Sequence, residues 1–78
     1  LREARAGFDD AVRRFPTEPR VRADYARFLL ERGRAAEAAD SLRIAEAIDP
    51  GDAEVRYARA LSDRITAADP GRGGAAGR

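Results

Sequence analysis

Residues 33–50 read GRAAEAADSLRIAEAIDP, a run of helix-forming residues punctuated by glycine at one end and proline at the other. Within it, Ala38, Leu42, Ala45 and Pro50 set a spacing of small, bulky, small and stop. Ala4, Phe8, Ala11 and Pro16 carry the same spacing, each 34 residues earlier (4 to 38, 8 to 42, 11 to 45, 16 to 50). A fixed period in this range marks a repeat array, in which each unit buries its apolar face against the next.

Working outward, four helical segments emerge. The first runs from about Arg2 to Arg14 and stops before Phe15-Pro16, because the residue preceding proline is pushed out of helix. Thr17 is placed to cap the second, with Pro19 tolerated in its first turn and Val21, Tyr25, Phe28 and Leu29 forming an apolar stripe. Gly33 ends that helix, since glycine accepts the left-handed conformation common at helix termini. The third spans roughly Ala35 to Ala47 and stops at Asp49-Pro50-Gly51. Asp52 then caps a fourth that runs to about Ala67. Nothing alternates with period two, so the fold class is all-α. Short loops make neighbouring helices antiparallel, and Ala26, Ala38 and Ala45 are the expected points of close approach, with Leu42 and Ile48 filling the gaps. Tyr25, Phe28, Leu29 and Phe8 read as core, and Asp9–Arg13 and Asp10–Arg14 as supporting i,i+4 pairs.

Composition removes many functions. The chain of 78 residues holds one domain at most. It has neither cysteine nor histidine, which excludes disulfides, thiolate metal sites and the usual catalytic base. All 15 basic residues are arginine, against 14 acidic ones, and a net charge of +1 gives no pull toward nucleic acid or an anionic membrane. No apolar run could span a membrane and no signal peptide is visible, so the expected compartment is the cytoplasm. Leu1 lies already inside a helical pattern, as in a piece of a longer protein. Ser41 and Ser62 sit within helices, without a nucleophile elbow. The carboxylates form no calcium loop, and GRGGAAGR lacks the Gly-Lys-Ser/Thr of a phosphate cradle. No enzyme activity, cofactor or metal is expected.

With this period and these landmarks, the chain resembles the tetratricopeptide repeat family, a helix–turn–helix of 34 residues. Residues 19–52 resemble one complete repeat, with Ala26, the Arg32-Gly33-Arg34 turn, Glu37-Ala38, Leu42, Ala45 and Asp49-Pro50 at its landmarks. Residues 1–18 resemble the second helix of a preceding repeat. Residues 53–68 resemble the first helix of a following one, or a capping helix, and 69–78 read as a flexible Gly-rich tail. The resemblance implies a short right-handed α-solenoid of about four helices. The sequence departs from the family where the latter favours aromatic, aliphatic, aromatic: here stand Arg22, Tyr25 and Leu29, and in the fourth helix Arg56, Arg59 and Asp63.

The resemblance also implies a function: the first helix of each repeat lines a concave groove that binds peptides or partner proteins. The groove-facing residues of the second helix would be Ala23, Asp24, Arg27, Leu30 and Glu31. Some family members clamp a terminal carboxylate with Asn and Lys here; Asp24 and Glu31 are acidic, so no such clamp is expected. The bland reading of Asp24, Arg27 and Glu31 is a solvated face. In the fourth helix the set is Tyr57, Ala58, Leu61, Arg64 and Ile65, apolar except for Arg64. Either that helix rolls to bury the stripe and closes the array, or the stripe stays exposed and binds a partner helix or a second copy. The favoured function is therefore a protein-interaction scaffold. The alternative is a self-association element using this stripe or the face around Phe8 and Val12. A nucleic-acid-binding repeat is the weakest reading.

Overall fold

The computed structural model describes residues 2–68, which form α1 (Arg2–Arg14), α2 (Pro19–Glu31), α3 (Ala35–Ile48) and α4 (Ala53–Ala68). No strand occurs among the described residues. The expected tail at 69–78 lies outside them.

Each helix ends where local chemistry requires. At α2's end, Gly33 takes φ +76°, its N–H donates to the Leu30 carbonyl (3.1 Å), and the Arg34 N–H donates to that of Leu29 (2.9 Å). That pair of bonds, with a left-handed glycine between them, satisfies carbonyls the helix leaves unpaired. Asp49 follows α3, and its carboxylate accepts from the Gly51 N–H at 3.0 Å, turning the chain toward α4. Asp52 caps α4 as expected: Oδ1 accepts from the Glu54 and Val55 amides at 2.9 and 3.1 Å.

The start of α2 differs from expectation. Thr17 does not cap it; Glu18 holds the N-cap position in extended geometry and makes no side-chain cap bond. Pro19 at the first position brings no N–H that needs a partner, so the missing cap costs little.

A continuous core joins Ala23, Ala26, Leu29 and Leu30 of α2, Ala38, Leu42 and Ala45 of α3, and Val55 and Ala58 of α4. Ala26, Ala38 and Ala45 have no exposed surface, the signature of helices touching through small side chains. Leu42 fills the space between them, and full burial of such a side chain stabilises by about 1.5–3 kcal/mol. Ile48, expected as a second filler, is instead 37 % exposed at the end of α3. The buried Ser41 hydroxyl donates to the Arg22 carbonyl at 2.8 Å, tying α3 to α2 without leaving a polar group unpaired.

α1 packs on α2 through aromatic rings. Phe8 lies 5.4 Å from Tyr25 and 5.2 Å from Phe28, between centroids. These rings are only half-buried, so the expectation of full core burial is corrected. One expected ion pair is also corrected: Asp10 takes both arginines, Arg14 at 2.9 Å and Arg13 at 3.6 Å. Asp9 lies instead beside Tyr25, whose hydroxyl pKa is pushed up by burial first and by that carboxylate second.

α4 keeps the register of α2. Val55, Ala58 and Ser62 are its buried residues, 34 positions after Val21, Asp24 and Phe28. Arg59 makes a two-pronged ion pair with Glu46 of α3, at 2.8 and 3.0 Å, which holds the Glu46 carboxyl below its ordinary pKa.

Candidate functional site

Ten residues were expected to face a partner, and the structure divides them. Ala23 and Ala58 have no exposed surface and Leu30 only 6 %. All three belong to the core, because α4 lies against α2 and covers the side that an isolated hairpin would leave open. They are corrected from groove to core. Leu61 and Ile65 are partly buried against that same core. Tyr57 (49 % exposed) and Arg64 remain at the surface. The apolar stripe of α4 is thus broken up without any roll of the helix: two members pack inward, one is buried and Tyr57 stands out.

Asp24, Arg27 and Glu31 behave differently. They line one cavity of about 300 Å³, together with Phe8 of α1 and Phe28 of α2. Spacing along a helix brings the three together, since positions three and four apart share a face. Phe8 arrives from another helix, so its presence was not legible; its 34-residue match to Leu42 marked it only as core.

Arg27 is the pivot of the site. Its guanidinium reaches Glu54 of α4 at 3.4 Å and lies 4.9 Å above the centre of the Tyr57 ring. It therefore bridges the first helices of two successive repeats by one charge contact and one cation–π contact. Its Nε is buried and has no hydrogen-bond partner. Asp24 and Glu31, by contrast, have no ion pair among the described residues. Burial, and then the negative charge of Glu54, push the Asp24 carboxyl above its ordinary pKa. The cavity thus presents two aromatic side chains, two uncompensated carboxylates and one cation already engaged with Glu54. Sequence reasoning missed Phe8, Phe28 and Glu54; the first-turn position of Glu54 carried no signal of its contact with Arg27.

A second cavity, of about 220 Å³, lies between α2 and α3 and is lined in part by Arg22, Tyr25, Leu29 and Ile44. Arg22, Tyr25 and Leu29 are the positions where the family favours two aromatics around an aliphatic residue. The smaller Leu29 and the polar Arg22 leave space there, and Arg22 Nε is buried without a partner.

No three carboxylates converge to hold a metal ion among the described residues. None of the described helices is long and apolar enough to cross a membrane. No curated protein and no solved structure matches the chain. The sequence profile described as "Tetratricopeptide repeat" matches residues 1–62, and those residues hold three helices and most of a fourth in the helix–turn–helix order of a repeat solenoid. The chain belongs to the tetratricopeptide repeat family.

Proposed function

We propose that residues 1–68 act as a peptide-binding scaffold, with 19–52 as its complete repeat, and that a partner's segment lies along the face formed by Asp24, Arg27 and Glu31. The family in general mediates protein–protein interaction and is not catalytic. The observation that carries the finer reading is the shared cavity: three of the five groove residues expected on α2 meet there beside Phe8 and Phe28. Tyr57 extends the face onto α4 through its contact with Arg27, and Arg64 lies exposed farther along the same helix.

Homodimerisation through the α4 stripe draws less support, because Ala58 is buried and Leu61 and Ile65 already pack against the core. The test is selection of peptides from a random phage library, followed by amide-shift mapping on the labelled chain. Shifts centred on Asp24, Arg27 and Glu31, abolished by Arg27→Glu, are expected. Shifts centred on Ile44 and Ile48, the exposed apolar residues of α3, would overturn the assignment.

A further inference from the structure

The charges on the cavity walls narrow the partner. Phe8 and Phe28 offer aromatic faces, and Asp24 and Glu31 offer carboxylates that no cation of the chain neutralises. The one cation in the wall, Arg27, is shared between Glu54 and the Tyr57 ring. An incoming carboxylate would meet Asp24, Glu31 and Glu54, and like charges brought together in a partly dry site repel. An incoming apolar side chain would bury Asp24 further with no compensating partner. A cationic side chain meets neither cost. Its stem covers the rings while its head reaches the carboxylates, and arginine does both because its planar group stacks on aromatics and forks onto carboxylates. The chain supplies an internal precedent: Arg32 lies 5.2 Å over the Phe28 ring at the edge of the cavity.

Resting on the groove reading above, we propose that the partner is a basic peptide segment, and that one of its arginine side chains occupies the cavity between Phe8, Phe28, Asp24 and Glu31. This is opposite in sign to a carboxylate clamp. The site selects against acidic peptide termini and for arginine-bearing segments.

Hexapeptide pools, each fixed at a central position as arginine, citrulline, norleucine or glutamate, test this when titrated into the labelled chain. The arginine pool should move the amides of Asp24, Phe28 and Glu31, citrulline should move them far less, and glutamate not at all. Asp24→Asn with Glu31→Gln should weaken the arginine pool about tenfold while leaving the helical circular dichroism intact. If the norleucine or glutamate pool moves the same amides as strongly as arginine, the cationic preference is wrong and the groove reading stands. If the pools move amides elsewhere, or none, both fall. Unchanged affinity in the double variant would overturn the roles of the two carboxylates alone.

Discussion

α2 and α4 occupy the same place in successive repeats, and one half of each tells a different story. Their backward faces correspond: Val21, Asp24 and Phe28 meet α1 and its cavity, as Val55, Ala58 and Ser62 turn into the core. Their forward faces do not. Ala23, Ala26, Leu29 and Leu30 of α2 are buried, whereas Tyr57, Ala60, Asp63 and Arg64, 34 residues later, are exposed. Gly33 turns the chain after α2, but Ala67 stands at the matching place and α4 runs on to Ala68. A repeat is therefore defined by the face it turns to its predecessor, and the face toward a successor is free to change. Polar residues on that forward face suit a helix that closes a stack.

Exchanging residues between the two helices breaks or sharpens this contrast. Leu29→Asp puts the α4 residue into a site with 1 % exposure, and it should cost about 4 kcal/mol or more, enough to abolish the cooperative melt seen by circular dichroism. Gly33→Ala copies Ala67 and forces a side chain into the left-handed region. The expected loss is about 1–2 kcal/mol in urea denaturation, and an unchanged midpoint would mean that the turn simply re-forms. Asp24→Ala copies Ala58 and removes a carboxylate whose raised pKa shows its charge to be unwelcome. Stability at neutral pH should rise by up to about 0.5 kcal/mol while affinity for basic peptides falls. Asp63→Leu, the reverse of the first exchange, should leave stability within about 0.5 kcal/mol but make the sedimentation mass rise with concentration.

The smallest effect is in pH dependence. Glu46 is held below its ordinary value of 4.5 by Arg59, so its pair stabilises the fold above that value and the contribution is lost as pH falls through the lower folded value. Glu46→Gln should flatten the acid limb of the stability curve; a curve parallel to the parent's would assign that limb to other carboxylates.

The parts of this fold that were legible in the sequence rest on short-range chemistry. Gly33, Asp52 and the proline stops act within a few residues, and each performs as its residue type dictates. Burial was harder, because it depends on which neighbour covers a face. Ala23 and Leu30 point where a groove was expected, and only the position of α4 makes them core. Glu18 displaced Thr17 at the N-cap because Pro19 had already relieved the need for a strong cap. The polar members of the site survived for a similar reason: Asp24, Arg27 and Glu31 share one helix, so periodicity alone aligned them. Phe8 and Glu54 reach the site through tertiary packing, which no spacing along the chain reports.

The attachment of α1 has a thermodynamic consequence. It packs on α2 alone among the helices and is pinned by Phe8 between Tyr25 and Phe28, with one further tie from Arg5 to Glu37 of α3. A helix held by so few contacts opens at lower free energy than the body it leans on, and its amides should exchange with deuterium first. Phe8 is also a wall of the cavity, so each opening of α1 dismantles the site while α2, α3 and α4 stay folded. Occupancy and the ordering of α1 are then linked equilibria. A bound segment slows exchange along a helix of which it touches a single residue, and whatever loosens that helix weakens binding by the same factor.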